Sequence, residues 1–314
     1  MDIINILENS TREISKAGGA TAELDARVLL EYALKKSQEY LTAHSYEPLT
    51  NSDYARFRRA VRRRKKGEPI AYITKEKEFY GYDFYINKNV LVPRPESEML
   101  VENALQFLES RITNYELRKR KELPTTDYLL PTILDVGTGS GCLIISLVKE
   151  ICKSAMRHSP YAIRYFASDI SKKALYVAKK NAKHHKINKS IRFFHSDLFS
   201  NPKMPKKYDL IIANLPYVAL PSEKLKVKSE KLWKNSISYE PANSIFAKDN
   251  GTKVIKEFIE QAKTRINNDG LILIEADPRN IENISIYAKK QLESSRISII
   301  KDLAGRKRVL KILT

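Results

Sequence analysis

Residues 133 to 145 read Ile-Leu-Asp-Val-Gly-Thr-Gly-Ser-Gly-Cys-Leu-Ile-Ile, an apolar run, a glycine-rich turn and a second apolar run. The turn joins a buried strand to a helix, and the same alternation repeats from residue 131 onward. Strands are expected near 131–136, 162–168, 191–195, 208–213, 270–275, 296–301 and 307–313, with helices near 141–152, 171–184, 252–266 and 279–291. Strands separated by helical crossovers predict an α/β, Rossmann-like domain with a seven-stranded, mostly parallel sheet covered on both faces. Ala304-Gly305 joins the last two strands without a helix, so an antiparallel hairpin closes the sheet.

Outward from that core, residues 96–108 read as a helix with Met99, Leu100, Ala104 and Leu105 inward. Residues 110–130 are polar and basic with no apolar stripe and read as an exposed insertion. Residues 70–95 are aromatic-rich around Gly81, which suits a β-hairpin or two short strands acting as a linker. Residues 1–66 carry helical periods only: Ile3, Ile6 and Leu7, then Leu24, Val28, Leu29, Tyr32 and Ala33 on one face. Asn51-Ser52-Asp53 caps a basic helix that Gly67 and Pro69 stop. The expected domains are a helical one over 1–69, a hairpin linker over 70–95 and the α/β domain over 96–314.

With 42% hydrophobic and 30% charged residues over 314 positions, the chain has the composition of a soluble globular protein with a full core. The formal charge, 56 − 37 = +19, favours an acidic partner. The densest cluster, Arg56, Arg58, Arg59, Arg62, Arg63, Arg64, Lys65 and Lys66, reads equally as a solvated helix end or as a docking surface. Cys142 and Cys152 fit no metal or disulfide spacing and read as buried thiols in a reducing cytosol. His184, His185 and His195 read as surface residues, and no metal site is expected. Neither a secretory signal nor a stretch of the ~20 apolar residues that span a bilayer is visible. A cytoplasmic monomer is expected.

The glycine loop is half of a candidate site. Asp135, Gly137, Thr138, Gly139, Ser140 and Gly141 lie where a ligand can approach the backbone and where a helix N-terminus favours a carboxylate. The spacing departs from the G-x-G-x-x-G of dinucleotide sites. Asp169 ends the next strand, where a carboxylate can accept from both hydroxyls of a ribose; the plainer role is a helix cap. Asp197 follows the third strand, placed to accept from an adenine amino group, with Leu198 against the ring. Three strand ends that offer these groups converge in an open α/β sheet, and together they suit S-adenosylmethionine.

The other half is Asn214-Leu215-Pro216-Tyr217, directly after the apolar run Leu210–Ala213. It sets a carboxamide, a proline turn and an aromatic ring at one spot, which suits a planar, weakly nucleophilic NH2 group. Asn214 supplies one acceptor, the Leu215 carbonyl another, and Tyr217 a flat surface. The expected chemistry is methyl transfer to nitrogen, with Asn214, Pro216 and Tyr217 as catalytic residues and Asn214 to Tyr217 as the substrate contact.

Asn-[Asp/Pro/Leu]-Pro-[Tyr/Phe] tetrapeptides mark amino methyltransferases that act on adenine, cytosine or glutamine. Over nearly its whole length the chain most resembles the HemK/PrmC family, the protein-(glutamine-N5) methyltransferases of peptide release factors. The resemblance rests on Gly67–Ile73, Phe79–Gly81, Val90-Leu91-Val92-Pro93-Arg94-Pro95-Glu96-Ser97-Glu98, Asp135–Gly141, Asn214–Tyr217, Tyr239-Glu240-Pro241 and Asp302–Arg306. It implies S-adenosylmethionine as cofactor, the glutamine of a Gly-Gly-Gln loop as acceptor, and docking of the release factor on the helical domain and hairpin. Two departures stand out: Leu215 replaces the family's usual Pro, and Ala247–Gly251 replaces a stretch often richer in glycine. Asn-Leu-Pro-Tyr is also the spelling typical of ribosomal RNA adenine dimethylases. The alternative is therefore an adenine-N6 methyltransferase on RNA or DNA, although Trp233 is not an obvious base-stacking platform.

Overall fold

The computed structural model describes residues 2–120, 131–153, 163–219 and 236–314. Two compact units emerge among the described residues, one from 2–76 with Ile86–Lys88 and 236–241, the other from Lys77–Tyr85, the described part of 89–219 and Ala242–Thr314.

The first unit is helical: α1 (Ile3–Lys16), α2 (Ala22–Leu34), α3 (Gln38–Ala43), α4 (Asn51–Lys65) and α5 (Ile70–Thr74). The last of these stands where a strand was expected. On α1 the residues Ile3, Ile6, Ser10 and Ile14 form one buried stripe. The buried stripe of α2 is Ala22, Asp25, Ala26, Leu29, Leu30 and Ala33, whereas Leu24 and Tyr32, expected inward, are 61% and 40% exposed. The frame differs because Asp25 belongs to the core face: Arg64 Nε donates to its Oδ2 at 2.7 Å, and a buried carboxylate is tolerated only when paired. Thr50, one residue ahead of the expected cap, caps α4 by accepting from the Asp53 N–H at 3.1 Å.

Much of the basic run on α4 is held internally. Arg58 and Lys65 both reach Glu13, at 2.7 and 2.8 Å, and Arg63 Nε donates to Glu68 at 2.7 Å. These partners hold the Glu13 carboxyl down at about 2. Arg59 and Arg62 are exposed and, among the described residues, meet no carboxylate.

In the second unit a two-stranded hairpin, β1 (Glu76–Phe79) and β2 (Tyr82–Tyr85), turns through Tyr80 and Gly81. Both have positive φ, 55° and 74°, as a type I′ turn requires. The hairpin docks on α8 (Lys172–His184): the Tyr85 N–H donates to Asn181 Oδ1 at 2.8 Å, and His185 lies against Tyr82 and Phe84. His185 is thus half-buried, not a surface residue. Cys142 is partly exposed and Cys152 is exposed, contrary to the expectation of buried thiols.

The main sheet contains β3 (Thr132–Val136), β4 (Arg164–Asp169), β5 (Ile191–His195), β6 (Tyr208–Ala213), β9 (Ile266–Glu275), β10 (Arg296–Lys301) and β11 (Lys307–Leu313). Its order is β10-β11-β9-β6-β3-β4-β5, with β9 to β5 parallel and β11 and β10 antiparallel. Strand order reverses between β3 and β6, so the carboxyl ends of these neighbours form the crevice where open α/β sheets bind ligands. Between Val218–Ala219 (β7) and Phe246–Ala247 (β8) runs a short parallel pairing that periodicity did not predict.

Two boundaries shift. The helix α6 (Glu98–Arg120) runs past Leu108 into the expected insertion, where Arg111 pairs with Asp209 at 3.2 Å; residues 121–130 lie outside the described residues. The helix α9 (Lys253–Ala262) ends early, and β9 begins at Ile266, running through an irregularity around Asn267–Gly270 that reads as a turn in sequence. In the loop that departs from the family pattern, Asp249 and Asn250 take φ of 55° and 52°, the left-handed region that Asp and Asn tolerate best among non-glycine residues.

Candidate active site

The glycine loop and the Asn-Leu-Pro-Tyr segment abut. Val136 pairs with Ala213 in register, so Gly137 and Asn214 leave adjacent strand ends side by side. A Cβ on Gly137 would stand 3.1 Å from Leu215 Cδ2, and φ there is +74°. Leu215 therefore fills its position by packing into the sheet core against the loop. Gly141, also left-handed, lets α7 (Cys142–Lys153) approach α8: a Cβ would lie 2.9 Å from Ile145 and 3.2 Å from Ala178.

The loop is tightened from within. The N–H groups of Gly137 and Thr138 donate to Ser168 O at 2.9 Å, Gly141 N–H donates to Thr138 O at 2.8 Å, and Gly139 N–H donates to Asp169 Oδ2 at 2.9 Å. Ser140 is buried, with its carbonyl held by Asn181 Nδ2 at 2.8 Å. Asp135 is fully buried: its Oδ2 accepts from Thr138 Oγ1 at 2.6 Å, while Oδ1 has no partner. Burial pushes its carboxyl up to about 7, with the Asp169 charge adding to the effect.

Asp169 ends β4. Its Oδ1 accepts from Ser171 N–H at 2.8 Å, and Ser171, not Asp169, caps α8. Each carboxylate oxygen keeps a lone pair beyond the bond it accepts. Burial pushes its pKa up, opposed by the two backbone donors. Asp197 is exposed two residues beyond β5, and Leu198 beside it is buried with φ +46°. Asp135 within β3, Asp169 at the end of β4 and Asp197 just after β5 thus stand on three neighbouring hydrogen-bonded strands.

At the other half, Asn214 Nδ2 donates to Glu275 Oε2 and to Ser97 Oγ, each at 2.9 Å. The Tyr217 hydroxyl donates to Glu275 Oε1 at 2.8 Å, and Ser97 Oγ donates to Glu275 Oε2 at 2.5 Å. Glu275 is fully buried at the end of β9, and burial pushes its pKa up against the Ser97 and Tyr217 bonds and the nearby Arg308 charge. Arg308 meets Asp302 at 3.2 Å and Glu96 at 3.5 Å, so the Pro93–Glu98 and Asp302–Arg306 stretches converge beside Glu275.

Sequence reasoning missed Glu275 and Ser97. The signal for Glu275 was present: one carboxylate closes the otherwise apolar run Leu271–Ile274, next to the strand that delivers Asn214. Ser97 carried no signal beyond its place after Pro-Arg-Pro-Glu.

The seven-stranded order β10-β11-β9-β6-β3-β4-β5, with the glycine loop after β3, is a methyltransferase fold. Residues 5–74 match the PrmC N-terminal domain and residues 121–236 the methyltransferase small domain. A release factor glutamine methyltransferase of Rhodopirellula baltica is 30% identical over 311 residues, 99% of this chain and 95% of that protein. One from Haemophilus influenzae is 31% identical over 292 residues, 92% and 90% of the two chains. A bifunctional methyltransferase of Rickettsia typhi is 34% identical over 313 residues, and there the chain spans only 57% of the relative's length. The chain belongs to the release factor glutamine methyltransferase family.

Proposed function

We propose that the chain transfers a methyl group from S-adenosylmethionine to the side-chain amide nitrogen, N5, of the glutamine in the Gly-Gly-Gln motif of peptide chain release factors. The observation that carries this reading is the orientation of Asn214: its Nδ2 faces Glu275 and Ser97, which leaves Oδ1 to accept from an incoming N–H.

When bound, S-adenosylmethionine supplies an electrophilic methyl group. The residues that would hold it are Asp135, Gly137, Thr138, Gly139, Ser140 and Gly141 in the loop, Asp169 toward the ribose, and Asp197 with Leu198 toward the adenine. The donor set fits: the buried Asp135 Oδ1 lacks a partner, and Asp169 has lone pairs to spare for hydroxyl donors.

The chain's own work is on the acceptor. An amide lone pair is delocalised into its carbonyl, and the ~18–20 kcal/mol barrier to rotation about a peptide C–N bond measures that conjugation. Asn214 Oδ1 and the Leu215 carbonyl accept the two N–H hydrogens and draw the nitrogen lone pair out of conjugation with its carbonyl, toward the methyl group. Tyr217, anchored through its hydroxyl, offers its ring to the flat face. Positioning and polarisation supply the catalysis, and the methylated nitrogen loses its surplus proton to water.

The test offers the purified chain labelled S-adenosylmethionine with release factor, with its Gln-to-Ala variant and with total RNA. Label on the parent release factor alone is expected; label on RNA instead would favour adenine N6. The pairing of Arg58, Arg63 and Lys65 with carboxylates supports the protein acceptor, because it leaves less of the basic run for phosphates.

A further inference from the structure

We propose that Glu275 is a positioning residue that fixes the flip of the Asn214 carboxamide and so presents its Oδ1, not its NH2, to the acceptor nitrogen. The inference rests on the reading of Asn214 as the group that meets the substrate amide.

A carboxamide has two ends of nearly equal size and opposite hydrogen-bonding sense. Left to itself at the mouth of a crevice, Asn214 would sample both orientations, and one of them would turn two donors toward a nitrogen that also carries donors. An ionised carboxylate accepts only, so a neighbour of that kind admits the NH2 end alone. Glu275 meets Asn214 in that sense, since donors reach both of its oxygens and the NH2 end of Asn214 is one of them. Ala213 pairs with Ile274 across β6 and β9, so Asn214 and Glu275 are the next residues along adjacent strands. Glu275 Oε2 lies 2.9 Å from Asn214 Nδ2.

The carboxylate is itself held from two other directions. Ser97 Oγ donates to Oε2 at 2.5 Å from the 3-10 turn Pro95–Ser97, and the Tyr217 hydroxyl donates to Oε1 at 2.8 Å. With donors on both oxygens and full burial, Glu275 acts through Asn214 and Tyr217 rather than as a base on substrate. One carboxylate therefore sets both the acceptor atom of Asn214 and the position of the Tyr217 ring.

Glu275→Gln is the test, because it keeps volume while replacing a pure acceptor by a group that pairs with either flip of Asn214. Two readouts are needed. In the cofactor-free protein, the 15N-labelled side-chain amide of Asn214, assigned by its loss in Asn214→Asp, should shift further in Glu275→Gln than in Ser97→Ala, which takes one acceptor from Nδ2 but retains the carboxylate. In single-turnover methylation of release factor, Glu275→Gln should lower the rate roughly ten- to a hundredfold with KM for release factor unchanged. Its residual rate should be flat with pH, whereas the parent loses rate as acid converts one Glu275 oxygen into a donor. An unmoved Asn214 resonance, or parental turnover in Glu275→Gln, would overturn the proposal. If the parent fails to methylate release factor at all, the functional reading falls, and the resonance still decides the clamp.

Discussion

Asn214 and Glu275, 61 residues apart in sequence, are joined by a 2.9 Å hydrogen bond in which the carboxamide donates and the carboxylate accepts. That polarity gives the site its chemical sense. On the proposed reading, the Asn214 Oδ1 left over at the end of β6 is the acceptor that an incoming NH2 group needs.

Asp169→Ala should weaken S-adenosylmethionine binding, because each charge-assisted hydrogen bond contributes ~1.5–3 kcal/mol and the ribose offers two hydroxyls. The same carboxylate ties Gly139 to β4, so Asp169→Asn, which keeps an acceptor oxygen, should lose less affinity. Calorimetry on the folded variants measures both; affinity unchanged in Asp169→Ala would restrict this residue to holding the loop.

Asp135 predicts a pH-dependent stability. Its carboxyl lies at about 7 when folded and near 3.8 when unfolded. A raised pKa stabilises the folded state fully below the unfolded value, and that contribution is lost as pH rises toward the folded one. Asp135→Asn has no proton to lose. Its Tm relative to the parent should therefore be higher at pH 8 than at pH 4, and a difference that does not vary with pH would contradict the assignment.

Breaking the Arg64–Asp25 pair should unfold the helical unit. The two side chains are 12% and 7% exposed, and removing one partner of a buried pair destabilises by ~3–5 kcal/mol. Asp25→Ala should lower the urea midpoint much more than Arg12→Ala, whose Glu8 partner lies on the surface. Equal midpoints would mean that the pair is solvated.

The basic run divides into two groups. Arg59 and Arg62 are exposed, while Arg58 and Arg63 are paired with Glu13 and Glu68. Replacing Arg59 and Arg62 by Gln should flatten the salt dependence of KM for release factor with stability intact, since exposed charges steer encounter. Replacing Arg58 and Arg63 should lower Tm instead. Salt profiles that match the parent's in the first variant would make the run a solvated face.

The sheet was legible because its strands are continuous apolar runs broken by crossover helices, a pattern set by burial on both faces. The frame of α2 was not, because Asp25 sits on the core face and its partner, Arg64, is 39 residues away. The α9–β9 boundary was missed where Asn267–Gly270 looks like a turn yet continues the strand through an irregularity. In the candidate site, Asn214, Asp169 and the glycine loop are singled out by strand ends alone. Ser97 is not, and Glu275, although it closes an apolar run beside the strand that delivers Asn214, shows its role only in a contact between segments 178 residues apart.

Single-turnover methylation of release factor by Asn214→Ala, compared with Asn214→Asp, tests the central claim most directly. Loss of an aligned polar group that strengthens in the transition state costs ~2.7–4 kcal/mol, a hundred- to thousandfold in rate, and appears in kcat rather than KM. The Ala variant should show that loss with release factor still bound. The Asp variant keeps an oxygen acceptor but sets a second carboxylate against Glu275, so it should retain more activity than Ala and less than the parent. Near-parental turnover in Asn214→Ala would contradict the account, because the acceptor atom on which the site is built would then play no part in the reaction.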